Sequence, residues 1–180
     1  QGRVMGGAII SSHKIIEQIY PFMKNAGPSL SPFNAWVLSK SLETLAVRMD
    51  RHCSNALSIA QWLESNPKVK SVKYPFLPSN IGYDTAKKQM KAGGGMISFE
   101  LYGGYDAGIQ LIDSREMISL SANLGDTRTI ITHPASSTHS KLTPEQRTEA
   151  GISDGLIRLS VGIEHLDDIT EKKDMIQIGG

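Results

Sequence analysis

Apolar residues recur along this chain at two spacings, and the change from one to the other divides it. Leu38, Leu42, Leu45, Met49, Cys53, Ala56, Ala60 and Leu63 follow one another at intervals of three and four, which puts them on one stripe of an α-helix. Ser31-Pro32 stands ahead of the stripe, a hydroxyl N-cap followed by proline where its missing N–H costs nothing. Asn66-Pro67 closes it. The spacing predicts a single unbroken helix over 32–65, a rod of about 50 Å at the helical rise, long enough to join two domains. Ahead of the rod, Gly6-Gly7 followed by Ala8-Ile9-Ile10-Ser11 reads as a short buried strand, and Ile15 to Asn25, stopped by Gly27-Pro28, as a helix.

Beyond the rod the units become short. Val69–Tyr74 reads as a strand, Asp84–Lys91 as a helix, and Met96–Leu101 as a strand with Ile97, Phe99 and Leu101 on one face. Tyr105–Asp113 reads as a helix, 118–120, 129–132 and 156–161 as strands, and Leu166–Ile178 as a closing helix. Strands and helices that alternate at this length predict an α/β architecture. No internal repeat or low-complexity tract interrupts the pattern.

Composition narrows the function more than the fold. With 39% hydrophobic and 21% charged residues, the 180-residue chain has the make-up of an ordinary globular protein and enough apolar side chains for a core. Nineteen Lys and Arg against 18 Asp and Glu give a net charge of +1, too little for a nucleic-acid or anionic-membrane footprint, so small molecules or proteins are the expected partners. The lone Cys53 allows no internal disulfide and fits a reducing compartment, with the cytoplasm as the default. No apolar run approaches the roughly 18 residues of a membrane helix. The start, Gln1-Gly2-Arg3-Val4, has neither an initiator Met nor the zones of a signal peptide, and is expected to lie within a longer polypeptide.

Three segments concentrate chemistry. Ser121-Ala122-Asn123-Leu124-Gly125-Asp126 is a polar turn between two predicted strands, and by itself such a turn is structural more often than ligand-binding. Thr132-His133-Pro134-Ala135-Ser136-Ser137-Thr138-His139-Ser140 carries two histidines and five hydroxyls. His133 and His139 lack the spacing and companion ligands of a zinc site, and no acidic orienter or nucleophile elbow accompanies them. A hydroxyl-capped loop in which His133 bonds the backbone is the plainer account. In Leu156-Ile157-Arg158-Leu159-Ser160-Val161 an arginine interrupts an apolar strand, on the face it shares with Leu156 and Ser160. A guanidinium there requires an anion. The residues leave open whether that anion is a structural Asp or Glu, the commoner case, or a carboxylate brought by a substrate.

Taken in order, Gly6-Gly7, Gly27-Pro28-Ser29-Leu30-Ser31-Pro32, His133-Pro134-Ala135-Ser136 with Thr138-His139, and Arg158-Leu159-Ser160-Val161-Gly162-Ile163-Glu164 resemble the C-terminal half of the Cys/Met-metabolism enzymes that depend on pyridoxal 5'-phosphate (PLP). The resemblance covers essentially the whole chain. It implies a fold type I PLP-dependent transferase, of which residues 1–28 end the large PLP-binding domain and 29–180 form the small C-terminal domain, a mixed or antiparallel sheet with helices on one face, joined by the long helix 32–65.

Within that family, Asn123-Leu124-Gly125-Asp126 resembles the sulfhydrylases, whereas the lyases and cystathionine γ-synthases generally carry Ser at the first of these positions. Gly27 to Trp36 and Ser121-Ala122-Asn123 point further, to O-succinylhomoserine sulfhydrylases. The implied reaction is γ-replacement in methionine biosynthesis: succinate leaves O-succinylhomoserine and sulfide adds, giving homocysteine. Cystathionine γ-synthase, O-acetylhomoserine sulfhydrylase, methionine γ-lyase and a noncatalytic half-subunit are the alternatives.

The resemblance assigns Arg158 to the α-carboxylate of the amino-acid substrate, with Ala122, Asn123 and Leu124 lining the same pocket. It places the PLP lysine in a Ser-x-Thr-Lys motif upstream of Gln1. Lys14 and Lys24 follow no such motif, so residues 1–180 by themselves are expected to supply no catalytic, cofactor-binding or metal-binding residue. A homodimer or homotetramer is implied for the intact enzyme.

Overall fold

The computed structural model describes residues 2–170, and the part of the closing helix expected beyond 170 lies outside them. The chain forms two compact units, Gln1–Ala46 and Val47–Gly180.

In the first unit, residues 2–12 form no regular element and Ile9 and Ile10 are exposed, which corrects the strand expected at Ala8–Ser11. An extended segment gains ladder hydrogen bonds only beside another strand, and no described strand pairs with this one. Helix α1, His13–Ala26, forms where the spacing predicts it. It ends at Gly27, whose φ of 81° brings its N–H onto the Met23 carbonyl at 3.1 Å, a left-handed conformation that favours glycine. Helix α2, Pro32–Leu42, starts with the Ser31 hydroxyl accepting the Asn34 N–H at 3.2 Å.

The expected unbroken rod is in fact two helices. A turn at Glu43–Thr44 separates α2 from α3, Leu45–Glu64. The Ser41 hydroxyl donates to the Val37 carbonyl at 2.8 Å, the side-chain competition that bends and loosens helices. Leu42 and Leu45 keep their three-residue spacing across the turn, so the apolar stripe gives no sign of it.

The second unit contains a five-stranded mixed sheet. Its strands are β1 (Val69–Lys73), β2 (Met96–Leu101), β3 (Ser119–Leu120), β4 (Ile130–Thr132) and β5 (Leu156–Ser160), in the spatial order β1-β2-β5-β4-β3. Only the β3–β4 pair is parallel. Helices α4 (Tyr83–Gln89), α5 (Gly104–Ser114), α6 (Pro144–Glu149) and α7 (Leu166–Thr170) complete it, with a 3-10 turn at Pro134–Ser136. Helix α6 carries a capping box between Thr143 and Gln146, the Ser/Thr-x-x-Glu/Gln signature.

Alternation along the two central strands decides what faces where. Ile97, Phe99 and Leu101 of β2 and Ile157 and Leu159 of β5 enter a continuous core with Ala56, Ile59, Ala60 and Leu63 of α3, Leu111 and Ile112 of α5, and Ile169 of α7. Each fully buried Leu or Ile contributes about 1.5–3 kcal/mol by leaving water. With α3, α5 and α7 on that one face, the intervening residues turn the other way: Ser98 and Glu100 on β2, and Leu156, Arg158 and Ser160 on β5. Arg158 therefore stands on the side of the sheet away from the core, between Ser98 and Thr132 in the ladder.

Candidate active site

Arg158 is half-buried, and its Nη2 donates to three oxygens: the carbonyl of Ala122 at 2.6 Å, the carbonyl of Asn123 at 3.2 Å and the Thr132 hydroxyl at 3.3 Å. No Asp or Glu among the described residues pairs with it. Of the alternatives the sequence leaves open, a structural carboxylate is thus absent within the described chain. The Nε–H and the Nη1 donors, which complete a guanidinium's set of five, have no hydrogen-bond partner among the described residues. Carbonyl dipoles hold the group in place without neutralising it.

The loop that supplies those carbonyls is itself tied down. Thr132, opposite Arg158 in the ladder, donates its hydroxyl to the Ser121 carbonyl at 2.5 Å. The Ser121 hydroxyl accepts the Asn123 N–H at 3.2 Å. Gly125, at φ 75°, donates its N–H to the buried Ser160 hydroxyl at 3.0 Å. Asp126 accepts from the Thr127 hydroxyl and the Arg128 N–H at 3.2 and 3.3 Å. Ala122 and Asn123 thus reach Arg158 through backbone oxygens, whereas Leu124 is 62% exposed with no polar tie to it.

The two histidines of the second segment separate. His133 is fully buried, its Nε2 donating to the Asp154 carbonyl at 2.7 Å while Nδ1 meets the Ser136 hydroxyl at 2.9 Å. Tyr105 packs edge-on against its ring. This is the backbone-bonded histidine of a capped loop. The His139 ring Nδ1 meets the Thr138 hydroxyl at 2.8 Å. Among the described residues no cluster of His, Cys, Asp or Glu is placed to hold a metal ion, and no helix is long and apolar enough to cross a membrane.

Several site residues escaped the sequence. Thr132 could have been found by pairing the predicted strands, because it lies opposite Arg158. Glu164 closes the Arg158-to-Glu164 motif without any sign of its partner, and Thr129, His52 and Asn55 carried no signal. The Glu164 carboxylate accepts the Thr129 N–H at 2.6 Å and the Thr129 hydroxyl at 2.9 Å, and Thr129 Oγ1 accepts the Gly162 N–H at 2.9 Å. From α3, buried His52 Nδ1 donates to the Val161 carbonyl at 2.6 Å, and Asn55 donates to the carbonyls of Gly162 and Glu164 at 3.1 and 2.9 Å.

The second unit is thus a small α/β fold in which Arg158, without an acidic partner among the described residues, stands beside the 121–126 loop. The chain belongs to the Cys/Met metabolism PLP-dependent enzymes, whose family pattern matches residues 1–177. It is 46% identical to the O-succinylhomoserine sulfhydrylase of Pseudomonas aeruginosa over 97% of its length and 43% of that protein's. It is 47% identical to the L-methionine gamma-lyase of Fusobacterium nucleatum, over 93% of the chain and 43% of the relative. A crystal structure from Campylobacter jejuni, assigned as an O-acetylhomoserine (thiol)-lyase and containing a pyridoxyl-lysine monophosphate, superposes with a TM-score of 0.83 at 38% identity, covering 94% of this chain and 40% of that one. The chain thus spans less than half the length of the relatives it matches.

The family's cofactor is PLP, and the residues here test what this chain can contribute to it. Lys14 and Lys24 are exposed.

Proposed function

We propose that the chain is the C-terminal part of a PLP-dependent homoserine-ester sulfhydrylase that makes homocysteine from O-succinylhomoserine and sulfide. In this reading residues 1–28 complete the large domain and 29–180 form the small one, and the intact cytoplasmic enzyme is a homodimer or homotetramer. The observation that carries it is Arg158, held by the Ala122 and Asn123 carbonyls with no counter-ion among the described residues. The substrate's α-carboxylate supplies the missing charge. The Asn123-Leu124-Gly125-Asp126 segment and the 46% identity to a succinyl-ester sulfhydrylase support the subgroup.

When bound, PLP supplies the electron sink that lets carbanionic charge develop on the substrate carbons. Arg158 contributes orientation. Its Nε–H and Nη1 donors engage the carboxylate and fix the rotation of the amino-acid carbon against the cofactor, so that proton transfers occur along one geometry. Thr132 and the two carbonyls keep the guanidinium from following the ligand. Asn123, whose side chain is exposed at the edge of this cradle, lies beside the same carboxylate.

Steady-state assay of the intact enzyme tests the reading. O-succinylhomoserine with sulfide should give homocysteine with a higher kcat/KM than O-acetylhomoserine with sulfide or than methionine alone. The 47% identity to a methionine γ-lyase favours elimination as the second reading. Methanethiol release from methionine, with no homocysteine formed from either ester, establishes it in place of the first. Asn123→Ser should shift the product ratio toward elimination, and an unchanged ratio removes that residue from the subgroup argument.

A further inference from the structure

We infer that Glu164 is a positioning residue for substrate binding, acting through Thr129 and the 121–129 loop on Arg158. The inference rests on the reading of Arg158 as the carboxylate-binding group.

The geometry runs as one connected chain of bonds. Arg158 keeps its orientation through Nη2, and two of the three acceptors are backbone carbonyls of the loop, at Ala122 and Asn123. That loop has no core side chains between Ala122 and Arg128, so its position depends on polar ties. At its start it is held by Thr132 and at its middle by Ser160. At its end the Thr127 carbonyl accepts the Ile163 N–H at 2.9 Å, and Thr129 is gripped through both N–H and hydroxyl by Glu164. Thr129 is 1% exposed, so these donors have no water to fall back on.

Glu164 lies six residues after Arg158 on the continuation of β5. The same stretch of backbone thus carries the arginine at one end and, at the other, the carboxylate that secures the loop holding the arginine. Gly162 makes this closure possible. A Cβ there would lie 2.2 Å from Glu164 Oε2 and 2.5 Å from the backbone at Thr127 and Thr129. The Asn55 bonds to the Gly162 and Glu164 carbonyls set that backbone against α3.

A carboxylate suits this place, because both Thr129 groups donate to it and the hydroxyl oxygen already accepts the Gly162 N–H. In Glu164→Gln the amide NH2 faces the Thr129 hydroxyl, which can meet it only by turning its own proton away and losing the bond it donates. The loop end then loosens, and a displacement near 1 Å is enough to uncouple carbonyls that meet Arg158 at 2.6 and 3.2 Å.

The test uses the full-length, PLP-loaded enzyme and a double-mutant cycle. Misplacement of this order is expected to raise the substrate KM in Glu164→Gln about 10-fold with kcat within about 3-fold of wild type. The Kd of L-norleucine, an amino acid with no leaving group, should rise by a similar factor in calorimetry. In an Arg158→Ala background, adding Glu164→Gln should change neither quantity, since the two act as a unit. Thr129→Ser should retain wild-type binding and Thr129→Val should lose it, which carries the test if Glu164→Gln folds poorly. Unchanged Kd in Glu164→Gln and Thr129→Val, or an equal loss with and without Arg158, overturns the positioning role while leaving Arg158 as the carboxylate site. Unchanged Kd in Arg158→Ala alone overturns both.

Discussion

Replacing Arg158 by alanine in the intact enzyme removes the donors to which the substrate carboxylate is assigned, and the structure sets the size of the effect. The Nη2 group is used by Ala122, Asn123 and Thr132, which leaves Nε–H and Nη1 for the ligand. A hydrogen bond to a charged group contributes about 1.5–3 kcal/mol, and a half-buried guanidinium is partly screened, so two such bonds give roughly 2–4 kcal/mol in kcat/KM. At 1.36 kcal/mol per decade that is about 30- to 900-fold. Most of it should appear in KM, because the carboxylate is bound before and throughout the reaction. PLP content, read from cofactor absorbance, should stay the same. A substrate amine lacking the α-carboxylate should react at equal rates with wild type and Arg158→Ala, while the amino acid separates them. Arg158→Lys should recover only part of the loss, since one ammonium cannot reach both loop carbonyls and the ligand. A kcat/KM for Arg158→Ala within 2-fold of wild type, or an equal loss on the carboxylate-free amine, refutes the assignment.

Three further outcomes follow from the packing. Gly162→Ala forces a Cβ into the backbone of Thr127 and Thr129 and the Glu164 carboxylate, and should cost about 3 kcal/mol in urea denaturation; an unchanged midpoint would show that the strand end has slack that the contacts deny. Gly108→Ala places a methyl 2.5 Å from His133 Nε2, a ring already fixed by Asp154 and Ser136, with an expected loss of about 1–3 kcal/mol and no change in KM. Burial, with a smaller contribution from Cys53, pushes the Tyr74 phenol up to about 12, where its OH donates to the Gly94 carbonyl at 2.9 Å. Because the folded value lies above the unfolded one near 10, the stabilisation is complete below pH 10 and is lost as pH rises through 12; phenolate absorbance in Tyr74→Phe should lack the late-titrating component seen in wild type.

How far the sequence reaches depends on whether a feature is a matter of side-chain identity or of backbone placement. The two faces of β5 were legible, because a sheet covered by helices on one side alternates cleanly, and Arg158 among Ile157 and Leu159 stands out on the open side. The ends of α1 and the start of α2 were legible for the same kind of reason: Gly27 and Ser31-Pro32 have conformational requirements that a reader can apply locally. The turn at Glu43–Thr44 was not, since a helical stripe records only that each residue returns to one face, and Leu42 and Leu45 do so on either side of the interruption. Nor was the openness of Ala8–Ser11, whose apolar run is equally consistent with a paired strand and with a segment that no described strand accompanies.

The site shows the same division more sharply. Every residue has a carbonyl, so nothing in the letters of Ala122 or Asn123 announces that their oxygens hold Arg158; that follows only once β4 places Thr132 opposite the arginine and ties the start of the loop. Glu164 ends the Arg158-to-Glu164 motif, but the motif does not reveal its partner, Thr129, which lies 35 residues earlier. Yet the spacing Arg158-x-x-x-Gly162-x-Glu164 has a physical reason that the structure supplies. The strand must run far enough past the arginine to clear the sheet, then pass a position with no side chain so that its carboxylate can reach back to the loop supporting that arginine. With no counter-ion among the described residues, Arg158 is fixed by other means, because an unpaired, half-buried charge otherwise turns toward water or toward the nearest acid. Here the Ala122 and Asn123 carbonyls hold the guanidinium, and the Glu164 carboxylate holds Thr129 at the far end of the same loop, away from the arginine.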